Sequence, residues 1–220
     1  MIDIIQPFWK PVDWTSFDVV KNLRSLTKIR KIGHSGTLDP FAQGVLVLCF
    51  GRATKRVSEL MELDKEYIAR VKLGLTTDTL DPTGKVTEQM PVPPLDMGVI
   101  QACLPALTGV IYQTPPMFSA LKYGGQRLYK IARAGLTVER ESRKVMVKTL
   151  EVTKWSPPDE LIIRVVCGKG TYIRVLAADL AEKLGTVGHL TELTRSRVGS
   201  YGRNESLTMK QAVEWTPIAA

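Results

Sequence analysis

The tightest constraint on the fold lies between residues 31 and 50, where a turn rich in glycine and proline runs straight into an unbroken apolar segment. Gly33-His34-Ser35-Gly36-Thr37-Leu38-Asp39-Pro40 is followed by Val45-Leu46-Val47-Leu48-Cys49-Phe50. An apolar run of that length and β-branched content reads as a buried strand. The glycines permit backbone angles closed to other residues, while Pro40 fixes its own φ and pushes Asp39 toward an extended conformation. A carboxylate held this way is aimed, which makes Asp39 the candidate for chemistry. The plain alternative is that Thr37, Asp39 and Pro40 only cap and turn the chain between two elements.

The remaining periodicity is mixed. Ile4 to Phe8 reads as a short strand ended by Pro11, and Ser16 as the cap of a helix whose Phe17, Val20, Leu23 and Leu26 repeat at helical spacing. Thr54 to Leu63 reads as a helix, Tyr67 to Leu73 as an alternating, half-buried strand, and residues 76–84 as a turn-rich loop. Pro91-Val92-Pro93-Pro94 is a semi-rigid connector to a helix around Val99 to Leu107. In the second half, strands are expected at Val110 to Gln113, Val145 to Val152, Leu161 to Cys167 and Ser196 to Gly199, with a basic helix at Gln126 to Ala134. A further helix, Tyr172 to Leu184, is stopped by Gly185. Strands and helices without regular βαβ alternation indicate an α+β fold on a mixed, largely antiparallel sheet. No linker separates domains, so one domain over residues 1–220 is expected.

Composition excludes several classes. No stretch is long and apolar enough to span a bilayer, and the first residues lack the basic start and apolar run of a secretory signal, so no membrane role and a cytoplasmic location are expected. Cys49, Cys103 and Cys167 each sit in an apolar run and read as small buried hydrophobes. With only His34 and His189, and no cysteine pair at ligand spacing, a zinc site is not expected. Gly168-Lys169-Gly170-Thr171 lacks the glycine that opens a phosphate loop and reads as a tight turn. Asp78 and Asp81 have too few oxygen neighbours for a calcium loop and read as a solvated turn.

The 220 residues carry a net charge of +8. The basic residues cluster: Arg24, Lys28, Arg30 and Lys31; Arg52, Lys55 and Arg56; Lys122, Arg127, Lys130 and Arg133; Arg140, Arg143, Lys144 and Lys148; Arg195, Arg197 and Arg203. One such cluster is commonly a solvated face; five without an acidic counterpart point to a phosphate backbone.

The turn through Asp39 stands in sequence with Lys65-Glu66-Tyr67, with Gln113-Thr114-Pro115-Pro116-Met117-Phe118-Ser119-Ala120-Leu121-Lys122 and with Gly168-Lys169-Gly170-Thr171-Tyr172-Ile173-Arg174. In order and spacing these four motifs, spread over about residues 2 to 200, resemble the TruB family of pseudouridine synthases. Residues 74–84 and the segment from Pro115 to Lys122 resemble the branch acting on tRNA rather than the branch working in guide-RNA particles. The resemblance implies isomerisation of the uridine at position 55 in the T-loop of tRNA. The C1′–N1 bond is broken, the uracil turned and rejoined through C5, with no cofactor and no metal.

By resemblance Asp39 is the catalytic nucleophile, attacking either the uracil ring or the ribose C1′, or stabilising and deprotonating a ribosyl intermediate. Tyr67 stacks on the flipped base and is also placed to accept a proton; its plain reading is a strand residue filling the core. Tyr172 lines the pocket, and Arg174 pairs with Asp39 and keeps it ionised despite burial. Leu193 closes the pocket, with Leu190 offering the same chemistry. His34 contacts the T-loop, against a plain reading as a turn histidine bonded to backbone, and Lys55 contacts the RNA backbone, against one as an exposed helix lysine.

Residues 115–135 correspond to an insertion that grips the T-loop. Lys122, Arg127, Lys130 and Arg133 suit that role, with Arg127, Lys130 and Arg133 near one helix face and Gly124-Gly125 as a hinge. The roughly twenty residues after the last motif are too few for another domain, so no additional C-terminal RNA-binding domain is expected. The implied partner is tRNA through its T-arm, met by a monomer without an obligate protein partner. A non-catalytic RNA-folding factor using the same basic surface is the alternative function.

Overall fold

The computed structural model describes residues 2–215. In chain order the elements are β1 (Asp3–Lys10), α1 (Ser16–Thr27), β2 (Ile32–His34), β3 (Gln43–Gly51), a 3-10 turn at Arg52–Arg56, α2 (Val57–Glu62), β4 (Lys65–Leu73), β5 (Leu75–Thr77) and β6 (Val86–Gln89). There follow α3 (Met97–Cys103), a 3-10 turn at Leu104–Leu107, β7 (Gly109–Gln113), β8 (Lys122–Tyr123), β9 (Gln126–Arg127), α4 (Leu128–Arg133), β10 (Arg143–Ser156), β11 (Glu160–Cys167), α5 (Ile173–Lys183), β12 (Gly188–Val198), β13 (Leu207–Thr208) and a last 3-10 turn. The chain groups into two units, one holding residues up to Ile68 and from Leu193 onward, the other Ala69–Glu192. The boundaries fall inside β4 and β12 rather than in a loop.

In the first unit β3 is central. It pairs antiparallel with β1 and β2 and parallel with β12, while β13 lies parallel to β1. Leu46, Leu48 and Phe50 pack with Phe8, Val19, Val20, Leu23 and Ile32, whereas Val45, Val47 and Cys49 pack with Ala53, Leu60 and Val198 on the opposite face. Burial on both faces is why the strand is written as a continuous apolar run. Trp215 meets Phe8 edge-on at 5.3 Å and joins the first of these clusters.

The start of α1 corrects the sequence reading. Thr15 is the cap, its side chain accepting from the Asp18 N–H while the Asp18 carboxylate accepts from the Thr15 N–H, a reciprocal capping box. Ser16 is the first helical residue and is buried for another purpose, described below. Only part of the expected apolar stripe is buried: Val20 and Leu23 face the core together with Val19, which lay outside that stripe, but Phe17 is 60% exposed and Leu26 40%.

In the second unit β10 lies between β11 and β7, antiparallel to both. The inner faces carry Val145, Val147, Leu161, Ile163, Val165 and Cys167, and α5 buries Ile173, Leu176, Ala177 and Leu180. The expected turn-rich loop over residues 76–84 is the connection of a hairpin, β5 with β6. The expected basic helix is shorter than its charge pattern suggested. Lys122-Tyr123 and Gln126-Arg127 form a hairpin whose two-residue turn is Gly124-Gly125, both at positive φ, and α4 follows. Gly124-Gly125 is therefore a tight hairpin turn, which demands glycine-like angles at both positions, and Arg127 sits in extended backbone rather than on a helix face with Lys130 and Arg133. All three cysteines are free thiols; Cys49 and Cys167 are buried, but Cys103 is only partly so.

Candidate active site

The first unit carries Asp39 on a turn that is fastened from three directions. Ser16 Oγ accepts from the Leu38 N–H at 2.8 Å and donates to the Leu38 carbonyl at 3.2 Å, so one buried hydroxyl satisfies both backbone groups of the residue before Asp39. Arg195, 1% exposed, donates from Nε to the Val45 carbonyl at 2.7 Å and from its two Nη atoms to the Gly36 and Thr37 carbonyls at 3.2 and 3.4 Å. Lys10, wholly buried, donates from Nζ to the carbonyls of Trp14, Pro11 and Pro40 at 2.6, 2.7 and 3.2 Å. The Pro40 carbonyl also accepts from the Asp13 N–H, and the Asp39 carbonyl from that of Ala42.

The spacing of these anchors explains the sequence around them. Arg195 lies beside Gly44 in the parallel pairing of β12 with β3, and a Cβ on Gly44 would stand 2.2 Å from the Arg195 carbonyl oxygen. A glycine is required there, which also suits its φ of 123°. Two cations without water need acceptors, and the carbonyls of the turn supply them. Burial pushes the Lys10 ammonium down to about 8, Arg195 adds to the fall, and the carboxylates of Asp39, Asp13 and Asp18 oppose it. The attraction between Lys10 and Asp39 is mutual, so a positive charge under the turn favours a charged carboxylate on it.

The same unit holds the other residues expected near Asp39. Tyr67 lies on the buried face of β4, 9% exposed, with Lys65 before it on that face donating to the carbonyls of Met61 and Leu63. Leu193 on β12 is 5% exposed. His34 ends β2 with Nδ1 accepting from the Gly36 N–H at 3.3 Å, an assignment that leaves Nε2 as the donor of the neutral ring. Lys55 is exposed on the 3-10 turn after β3.

The second unit holds Tyr172, Arg174, Lys122, Arg127 and Lys130. Tyr172 is the cap residue of α5; its N–H donates to Gln113 Oε1 at 3.0 Å and its carbonyl accepts from Gln113 Nε2. Arg174 follows in the first turn, 2% exposed, donating to the Thr79 carbonyl at 2.6 Å and the Phe118 carbonyl at 2.9 Å. Within this unit its carboxylate partner is Asp81, with Nη1 3.3 Å from Oδ2. The turn read as solvated is thus a buried device at Asp81, which is 4% exposed. Asp81 Oδ1 accepts from Thr79 Oγ1, Thr83 N and Thr83 Oγ1, and Thr77 Oγ1 ties the Asp81 backbone at both ends. Lys122, Arg127 and Lys130 are all exposed on the insertion.

Arg195, Lys10, Ser16 and Asp81 are the residues that sequence reasoning missed or misplaced. In the sequence Arg195 falls in one basic cluster with Arg197 and Arg203, a pattern that points to a phosphate backbone. Instead Arg195 is sealed in the core, Arg197 lies 3.3 Å from Glu66, and Arg203 stacks over the Trp9 ring at 4.6 Å. The available signals were a charged residue inside the strand run of β12 and the dense Thr-Asp alternation of residues 76–84.

Residues 24–173 match the family model described as TruB family pseudouridylate synthase (N terminal domain). The chain belongs to the TruB family. Its relatives include a protein named tRNA pseudouridine synthase B from Caldanaerobacter subterraneus subsp. tengcongensis, 44% identical over 97% of this chain and 75% of that one. Another of the same name, from Bacillus licheniformis, is 47% identical over 91% of this chain and 67% of that one. Among solved structures, a chain in the crystal structure of a Cbf5-Nop10-Gar1 complex matches with a TM-score of 0.75 and 28% identity, covering 96% of this chain and 54% of that one. The chain thus spans about half the length of that neighbour. The α+β fold with a mixed sheet is the fold of these pseudouridine synthases.

Proposed function

We propose that this TruB-family chain isomerises uridine to pseudouridine at position 55 in the T-loop of tRNA, acting in the cytoplasm as a monomer without cofactor or metal. The observation that carries the reading is the turn of Asp39, immobilised through the carbonyls of Gly36, Thr37, Leu38 and Pro40 by Arg195, Ser16 and Lys10. A carboxylate that must meet one carbon of a flipped nucleotide gains most from such restraint, since misplacement by an ångström costs orders of magnitude in rate.

The uracil is turned within an enclosed pocket, so the nucleotide leaves the T-loop stack before reaction, at a cost of a few kcal/mol. Asp39 then acts as the nucleophile while the C1′–N1 bond breaks. After the ring turns, C1′–C5 forms, the bond to Asp39 breaks and returns its electron pair to the carboxylate, N1 takes a proton and C5 gives one up. Tyr67 stacks on the ring and is placed to handle that proton, and Leu193 closes over the base. His34, Lys55, Tyr172, Lys122, Arg127 and Lys130 hold the RNA, and Arg174 fastens the insertion through the Phe118 carbonyl.

The test is pseudouridine mapping of unmodified tRNA incubated with wild-type protein and with Asp39→Asn. Product at one T-loop uridine from wild type, none from the variant, and RNA binding by both is the expected result. Product at the normal rate from Asp39→Asn overturns the mechanism; binding and refolding of tRNA by wild type without product supports the RNA-folding factor instead.

A further inference from the structure

One basic cluster singled out in the sequence has no part in the site described above. On α1, Phe17, Lys21 and Arg24 recur at i, i+4 and i+7, and Lys28 extends the same stripe as the helix cap. All four are exposed, as are Arg30 and Lys31, which follow on the way to β2. The helix is about 18 Å long, so the stripe covers a length of surface rather than a point.

Helix stability does not explain this arrangement. Arg24 and Lys28 favour the negative end of the helix dipole, but Lys21 lies outside the last turn, and Arg30 and Lys31 lie beyond the helix. The Phe17 ring at its start is 60% exposed and so is not held by the core. Arg24 reaches the Ile32 carbonyl at 3.4 Å and stacks over that ring, 5.9 Å from its centroid, which makes a flat cationic and aromatic platform.

Several surface cations elsewhere sit in ion pairs. Arg56 is paired with Glu59, Arg70 with Glu160 and Glu192, Lys72 with Asp159, Arg164 with Glu151 and Arg197 with Glu66. Among the described residues no carboxylate stands within ion-pair distance of Lys21, Arg24, Lys28, Arg30 or Lys31. The Asp18 carboxylate on the same helix acts on Lys21 through space without pairing with it, and a row of like charges that outnumbers its acidic neighbours is complementary to a polyanion.

Position identifies which polyanion. Ser16, the residue before Phe17, is bonded to both backbone groups of Leu38, next to Asp39. The stripe therefore begins at the reactive turn and leads away from it. We infer that the Phe17–Lys21–Arg24–Lys28 stripe, continued by Arg30 and Lys31, is an RNA-backbone track that carries the substrate strand onward from the Asp39 turn. This rests on the proposed function for the identity of the RNA, but its own content is a set of phosphate contacts.

The experiment compares Lys21→Glu/Lys28→Glu with Lys85→Glu/Lys154→Glu, a control that changes net charge equally at exposed lysines of the second unit. Binding of unmodified tRNA is titrated at several salt concentrations, and kcat and KM are measured on the same RNA. The stripe variant is expected to bind about tenfold more weakly near physiological salt, with the slope of log K against log salt shallower by about two. Its KM rises while its kcat at saturation is retained, and Phe17→Ala raises KM with no change in salt slope. Equal losses in both double variants, or no loss in the stripe variant, overturn the inference. Wild-type protein that binds tRNA without making pseudouridine defeats the proposed function instead, and the binding comparison still decides the track.

Discussion

Arg174 and Asp81 form an ion pair at 3.3 Å in which both side chains are more than nine-tenths buried, joining the first turn of α5 to a threonine-rich turn 93 residues earlier in the chain. Neither charge has water to turn to, so each is held by hydrogen bonds: carbonyls of Thr79 and Phe118 for the guanidinium, hydroxyls and an amide of Thr79 and Thr83 for the carboxylate. Phe118 lies in the insertion expected to grip the T-loop, so Arg174 connects that insertion to the turn of Asp81.

Asp81→Ala leaves the guanidinium buried without its partner in the second unit, a loss on the order of 3 kcal/mol that urea unfolding will read. Asp81→Asn preserves an oxygen for the threonines and costs less stability, but it removes the charge facing Arg174. Single-turnover pseudouridine formation by Asp81→Asn is expected to fall by about two orders of magnitude with tRNA binding retained. Wild-type stability in Asp81→Ala would show that the pair holds nothing.

Gly44 and Arg195 offer a sharper test of how the Asp39 turn is held. Gly44→Ala places a methyl 2.2 Å from the Arg195 carbonyl oxygen, where only backbone can give way. A destabilisation of about 2–4 kcal/mol is expected by thermal or urea unfolding. Arg195→Lys keeps the charge but cannot reach three carbonyls in the fork geometry of a guanidinium. Its kcat is expected to fall by at least about tenfold while KM for tRNA stays near the wild-type value, because the turn loses its alignment and not its RNA contacts.

The legible and illegible parts of the fold divide by the range of the forces involved. β3 was readable because burial on two faces writes an uninterrupted apolar run, and β4 because its alternating burial writes period two. Asp39 was readable because proline and glycine aim it locally. Asp81 was not: it is buried against Arg174, 93 residues away, which no local pattern around residues 76–84 reveals. Arg195 was misread for the same reason, since a charge in an exposed strand and a charge clamping a buried turn look alike in sequence. Phe17 fits helical spacing as well as Val20 does, and only the packing of α1 on Ile32, Leu46 and Leu48 shows which face is inward.

Ser16 makes a separable contribution. Ser16→Ala removes one hydroxyl but leaves both the N–H and the carbonyl of Leu38 buried without a partner. The expected cost is about 1–3 kcal/mol in unfolding experiments, larger than the cost of Thr15→Val at the exposed cap. Because Leu38 precedes Asp39, hydrogen exchange of amides in the 37–42 turn is expected to quicken in Ser16→Ala and to stay unchanged in Thr15→Val.

Lys10 provides the pH signature of this turn. Its folded value of about 8 lies below the ordinary 10.5, chiefly through burial and secondarily through Arg195. Between those two values the unfolded chain binds a proton that the folded chain has released, so stability rises with pH across that window; below about 8 both states are protonated and the contribution is flat. Against Lys10→Met, wild-type protein is therefore expected to gain on the order of 2 kcal/mol between pH 8 and pH 10.5. Catalysis should move the other way. Loss of the ammonium above pH 8 takes a positive charge from beneath Asp39 and leaves three carbonyls competing for two N–H groups, so kcat falls on the alkaline side with a midpoint near 8. Lys10→Met should lack that limb and show a low, pH-independent rate there. An alkaline limb that persists unchanged in Lys10→Met would assign it to another group.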